Sequence, residues 1–326
     1  MVDRSADNVD CNVPVATRSF REKHQAVYAS ERDCARYEAD LCQRQDHHNT
    51  IVDAIRELVP LCSRSTSVAD VGAGTGKLAK RLAPYVASVV VCDRSTEALA
   101  VARSTMGDAS CSVSFHQADL RALPMADGSV DVVVAGWAIS YLKSEHEEWY
   151  ADGSSGGPWR REVDTALSEM DRVLAPGGLL AVLETLGTAT DTPQRSGSWL
   201  YAHLREAGLA QRVLRTDYRF PDRPTAMSTL LFFFGKGVVR RAEALLSVGE
   251  TADAPCIVPE CTGLWWRRKP GEAAGPRAPV PPAEAEPLAA EPSEPAREPA
   301  SASKRPRDED AEGSLSNLCC KATSGS

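Results

Sequence analysis

With 326 residues, 43% of them hydrophobic, the chain is long enough to bury a sizeable core, and one domain with appendages is the natural expectation. A formal charge of −8 gives no blanket attraction to nucleic-acid phosphates or anionic lipid, so neither is an expected partner. No run approaches the roughly 20 apolar residues that span a bilayer, and the polar start MVDRSADNVD lacks a secretory signal's apolar core. The ten cysteines include no CxxC pair, which points to reduced thiols in a cytoplasmic protein and to no metal site.

Residues 1–18 read as a flexible N-terminus and 19–66 as a helical cover. Within it Ile51, Ala54, Ile55, Leu58 and Val59 recur at helical spacing and share one face, with Asn49 or Thr50 placed to cap the helix. Tyr37 and Leu41 mark an apolar face on the preceding helical segment. Over 67–269, short apolar runs alternate with helical patterns. SVADV, SVVVCD, VSFHQAD, VDVVVAG and LLAVLET are near-continuous rather than alternating, as strands covered on both faces of a parallel α/β sheet are. KLAKRLAPY, STEALAVARSTM and EVDTALSEMDRVL carry helical spacing between them. The segment SEHEEWYADGSSGGPW, with Trp149, Tyr150 and Trp159, reads either as an aromatic lid or as a loop stapled to the surface, and residues 230–234 read as core. From 270 to 326 the chain turns Pro/Ala/Glu-rich, with too little apolar surface to offset its ordering entropy, so a disordered tail is expected. In that tail KRPRDED reads as a solvated run or a weak nuclear-import patch, and Cys319-Cys320 has no polybasic neighbour to support a lipid anchor.

The stretch VADVGAGTGKLA sets glycines at alternate positions between a strand and a helix. A triphosphate cradle would need Ser or Thr after Lys77 and a glycine at Val71, and has neither. A dinucleotide fingerprint is weakened because its third glycine arrives one residue early, at Gly76. What remains is an acid at a strand end followed by G-x-G-x-G, a backbone bare enough for a ligand to lie against. Asp93 ends the next strand about 20 residues on, where an acidic side chain meets ribose hydroxyls in doubly wound folds. Asp119 stands at a third carboxyl edge. Open α/β sheets bind ligands beyond those edges, so the acids converge on one crevice.

The order DVGAGTGKLA, VVVCDRS, HQADLRALPMADGSVDVVVAGWAISYL and RVLAPGG resembles the class I S-adenosylmethionine-dependent methyltransferases, in particular their small-molecule, quinone-pathway-like branch. That resemblance implies a Rossmann-like, doubly wound sheet of seven strands with helices on both faces. LRTDYRF would supply the sixth strand and CTGLWWRRK the seventh, inserted antiparallel. It further implies that Asp70 orders the loop and helps hold the methionine end of the cofactor. Gly72, Ala73, Gly74, Thr75 and Gly76 would lie beneath that end. Asp93 would accept the ribose hydroxyls, with Arg94 over the adenine, and Asp119 and the Leu120 backbone would meet the adenine edge. Ala135, Gly136 and Trp137 would border the sulfonium.

The transfer is an in-line displacement, for which alignment supplies about 7–11 kcal/mol and aromatic faces favour the positive sulfur. Trp137 and Tyr141 are placed for the latter, and a wedge of core packing accounts for them equally well. Tyr141, Glu184 and His146 are the candidate catalytic side chains, a base being needed only where the acceptor loses a proton; Glu184 reads equally as a loop anchor, and His146 reads more readily as a solvated loop residue. Helix capping remains the bland alternative for each acid. The acceptor is expected to be a small molecule. Two other readings stay open: a nicotinamide-linked oxidoreductase on a similar sheet, and a cofactor-binding scaffold without catalysis.

Overall fold

The computed structural model describes residues 28–146, 157–194, 198–246 and 254–271, all within the first of the chain's two units, residues 1–285. The readings made for residues 1–27, for Trp149 and Tyr150, and for the tail beyond 271 lie outside the described residues.

Seven strands form the main sheet: β1 (Ser67–Val71), β2 (Ser88–Asp93), β3 (Ser112–Gln117), β4 (Val130–Gly136), β5 (Leu174–Thr188), β6 (Ala210–Arg215) and, last in the chain, β9 (Glu260–Arg268). Between them come β7 (Tyr218–Phe220) and β8 (Cys256–Val258), which pair in a sheet of their own. The order is β3-β2-β1-β4-β5-β9-β6. The first five strands pair in parallel, while β9 lies antiparallel between β5 and β6. This is the mixed, doubly wound sheet expected from the sequence.

Side-chain alternation explains why its strands read as unbroken apolar runs. Ala69, Val71, Val133, Ala135, Leu180 and Val182 enter one core cluster, and Val68, Val132, Val134, Leu179, Ala181 and Leu183 enter another. The second face is covered by α2 (Thr50–Leu58), α3 (Lys77–Leu82) and α4 (Thr96–Thr105), which follow α1 (Glu31–Asp40) in the chain. The first is covered by α5 (Ile139–Ser144), α6 (Trp159–Val173) and α7 (Trp199–Glu206). A third cluster joins β7 and β8 to α8 (Arg223–Phe234) and α9 (Lys236–Leu245), with Leu41 and Tyr37 packed in from the cover.

Several local expectations are corrected. Within the cover, a 3₁₀ turn over Cys42–Arg44 and a bridge from Gln45 to Tyr218 separate α1 from α2. Neither Asn49 nor Thr50 caps α2 by its side chain. The Asp46 carboxylate does so, accepting from the backbone N–H of Thr50 at 2.8 Å and of Ile51 at 3.2 Å. LRTDYRF is not one strand. The Thr216 hydroxyl bonds that of Thr262 at 2.6 Å, and Asp217 Oδ1 accepts from the Glu260 N–H at 2.9 Å. These bonds end β6, and Tyr218 and Phe220 then turn into the third cluster. Trp159 is fully buried at the start of α6 and belongs to the core rather than to a lid. Among residues 230–234, Leu230 is core but Leu231 is exposed. β5 continues beyond Glu184 to Thr188, because β9 pairs with it along that length.

Candidate functional site

The chain runs outward from β1 through β2 to β3, then crosses back to β4, so the strand order reverses between β1 and β4. Adjacent crossovers leave opposite faces there and open a crevice at the carboxyl ends. The loop of residues 72–76 lies in that crevice. At Gly72 φ is +65°, and an added Cβ would stand 2.5 Å from the Ala138 Cβ. At Gly74 φ is +55°, and a Cβ would stand 3.0 Å from the Tyr28 hydroxyl oxygen. Glycine takes the positive φ at both positions without strain, and at Gly72 a Cβ would also collide with Ala138.

Three acids surround the loop, each already holding part of the framework. Asp70 Oδ2 accepts from the Ala79 N–H at 2.8 Å, tying β1 to the first turn of α3. It is buried, and burial, reinforced by nearby Asp93, pushes its carboxyl up to about 7 although the Ala79 bond opposes the shift. Asp93, at the end of β2, accepts from the Gly74 N–H at 2.7 Å and from the Ser95 N–H at 2.8 Å through its two oxygens. Burial raises its pKa as well. Asp119, past the end of β3, is gripped by Arg121 through Nε at 2.7 Å and Nη2 at 2.6 Å, and that guanidinium holds its carboxyl below the usual range. Arg121 also reaches Glu162 at 2.7 Å and Glu145 at 3.2 Å, and Glu145 pairs with Arg94.

Beyond β4, Trp137 adopts φ +53°, an unusual conformation for a bulky residue. Its N–H donates to the Leu183 carbonyl at 2.6 Å, and its ring lies 3.7 Å from the Lys77 ammonium. Backbone strain of this kind costs about 1–3 kcal/mol and collects where a site needs a particular geometry.

These groups enclose a cavity of about 300 Å³. Of the residues named from the sequence, Asp70, Gly72, Ala73, Gly74, Thr75, Asp93, Arg94, Asp119, Leu120, Gly136, Trp137 and Tyr141 line it. Gly76 does not: a Cβ there would approach the Ala102 Cβ of α4 at 3.2 Å, so it serves helix packing. Ala135 points into the core. Glu184 is buried and accepts from the Ser140 N–H at 2.8 Å, anchoring α5 rather than facing the cavity. His146 is exposed and outside the lining. Tyr141 does line the cavity, but burial, then Glu184, raise its pKa, so it remains a phenol at neutral pH rather than a base.

Other residues of the wall were not named as site residues from the sequence, four of them with polar or reactive side chains near the loop. Tyr28 and Tyr37 bring tilted rings, 5.9 Å apart, from the cover. Cys42 and Lys77 lie beside them. The apolar mark at Tyr37 was the only sequence signal for the tyrosines, since the cover meets the loop through tertiary packing. Lys77 was visible only as the lysine of a failed triphosphate motif.

Residues 69–182 match the family model described as a methyltransferase domain. The demethylmenaquinone methyltransferase of Chlamydia pneumoniae is 29% identical over 177 residues, 52% of this chain and 68% of that protein. The demethylmenaquinone methyltransferase of Thermus thermophilus is 37% identical over 120 residues, 36% of this chain and 46% of that protein. Among solved structures, a putative methyltransferase from Bacillus halodurans is 19% identical, covering 67% of this chain and 98% of its own, with a TM-score of 0.44.

Proposed function

We propose that this chain, a class I S-adenosylmethionine-dependent methyltransferase, holds its methyl donor in the cavity at the carboxyl ends of β1, β2 and β4 and passes the methyl group to a small-molecule acceptor. One observation carries the reading: the bare loop at Gly72 and Gly74, the carboxylate of Asp93 and the strained Trp137 meet in one recess where the sheet order reverses.

When bound, the donor supplies a sulfonium with an already activated methyl group, so the protein's part is to bind, align and exclude water. A carboxylate offers about four acceptor positions. Asp93 uses two of them on backbone N–H groups, which leaves two for the ribose diol. The loop lets the methionine end lie against main chain. Asp119 keeps an oxygen edge toward adenine while Arg121 fixes its orientation. The faces of Trp137 and Tyr141 favour a positive charge between them. Alignment of donor and acceptor can supply about 7–11 kcal/mol, and no base among the described lining residues is needed for an acceptor that attacks without losing a proton.

Two facts support a small-molecule acceptor. The net charge of −8 disfavours nucleic acid, and the relatives' names specify demethylmenaquinone, a small molecule. Among the described residues no helix is long and apolar enough to cross a membrane. Calorimetric titration with S-adenosylhomocysteine and with NAD tests the site: the expected result is binding of the former alone, and binding of NAD alone overturns the reading. Incubation of extracts with labelled-methyl donor, followed by mass-spectrometric identification of the product, then names the acceptor.

A further inference from the structure

Lys77 opens α3, is half-buried, and turns its ammonium into the cavity wall. Its neighbours are the Trp137 ring and the Gln45 Oε1, to which Nζ donates. Gln45 is itself buried, and its Nε2 donates to the Thr216 hydroxyl at 3.0 Å, so its amide is locked with the oxygen toward Lys77. Both neighbours favour a cation without neutralising it.

Among the described residues Lys77 makes no ion pair, whereas the other cations around the site are all matched: Lys80 with Glu38, Arg81 with Asp46, Arg94 and Arg121 with Glu145. The acids on the cavity wall are engaged elsewhere, Asp70 and Asp93 with backbone N–H groups, Asp119 and Glu145 with guanidinium groups. A cation withdrawn from water without a counter-ion is costly. The groups facing it from the packed elements are Cys42 on the 3₁₀ turn, Arg81 on α3, Asp46 before α2 and Glu260 on β9. Burial, the largest influence, brings its pKa down to about 8, so it is mostly charged at pH 7.

Resting on the proposed reading of the cavity, we infer that Lys77 seats a negatively charged group of the methyl acceptor, so that the acceptor is a small organic anion. Lys77 lies against Trp137, the residue assigned to the sulfonium side. Tyr28 and Tyr37 add aromatic surface to the same cavity wall, which suits an acceptor whose body is flat and apolar. A bound anion also sets a negative charge beside the positive sulfur, holding acceptor and donor together.

The methionine carboxylate of the cofactor is the other source of such a charge, and two experiments separate them. First, S-adenosylhomocysteine and 5′-methylthioadenosine, which lacks the amino-acid carboxylate, are titrated into wild type, Lys77→Met and Lys77→Arg. For each ligand, affinities within about threefold across the three proteins are expected. Loss of S-adenosylhomocysteine but not methylthioadenosine affinity in Lys77→Met gives Lys77 to the cofactor and overturns the inference. No binding of S-adenosylhomocysteine to wild type removes the cavity reading itself, and this inference with it.

Second, protein saturated with S-adenosylhomocysteine is titrated with benzoate, phenylacetate and 2-naphthoate, each against its primary amide. At least one acid is expected to bind ten times or more tighter than its amide, with the preference gone in Lys77→Met and partly kept in Lys77→Arg. No such preference in any pair, or one that survives Lys77→Met, overturns the inference. If Lys77→Met does not fold, Lys77→Gln is read in its place, with the thermal midpoint as the folding check.

Discussion

Asp93 gives each of its oxygens to a backbone N–H and still keeps acceptor capacity toward the cavity. Asp93→Ala is therefore expected to weaken S-adenosylhomocysteine binding by about 1–3 kcal/mol through lost hydrogen bonds. Calorimetry that finds unchanged affinity removes Asp93 from the site. Asp70 makes a different prediction. Burial pushes its carboxyl in the folded chain from the usual 3.8 up to about 7, so the folded chain holds an extra proton between those pH values. The group's contribution to stability is thus fully present below about pH 4 and is lost as pH rises through 7. Asp70→Asn keeps an oxygen for the Ala79 N–H but does not titrate. The thermal midpoint of wild type should fall relative to Asp70→Asn as pH goes from 4 to 7, and parallel curves would refute the assignment. At this scale residue types were legible and partners were not. Asp93 could be placed because its strand end is local, whereas Glu184 finds Ser140 across 44 residues of sequence.

At the scale of elements, the loop and its supports decide the cavity's shape. Gly72→Ala would set a Cβ 2.5 Å from that of Ala138 at a positive φ, a strain of about 1–3 kcal/mol. Its expected signature is a loss of S-adenosylhomocysteine affinity larger than the loss of stability. An unaltered binding isotherm would show that the loop yields without cost. Glu184→Ala removes the acceptor for Ser140 at the start of α5 and should lower stability by about 1–3 kcal/mol while leaving ribose recognition by Asp93 intact. Chemical denaturation alongside ligand titration separates the two effects. The central strands β1, β4 and β5 were legible because they are covered on both faces, so their runs are apolar throughout. The stretch LRTDYRF failed as one strand because Thr216 and Asp217 divert the ladder with side-chain bonds, and no periodicity records such partners. The cap of α2 failed for the same reason: Asp46, four residues before Thr50, wraps back through a turn with φ +55°.

At the scale of the whole molecule, the described cavity wall draws only on residues between Tyr28 and Glu145. A chain ending after Gly271 is therefore expected to bind S-adenosylhomocysteine with the affinity of the full chain, and a marked loss on truncation would place part of the site beyond that point. The sequence by itself determined the buried central strands and the positions of the glycine loop, Asp70, Asp93 and Asp119. Those signals are local, each consisting of a buried run, a bare turn or an acid at a strand end. Only the tertiary structure decided that Gly76, Ala135, Glu184 and His146 stand off the cavity and that Tyr28, Tyr37, Cys42 and Lys77 stand on it. Those assignments depend on which surfaces the cover and the sheet bring together. The physical reason is range. Backbone conformation and burial periodicity act over a few residues, while the environment of a side chain is set by groups far away in the chain.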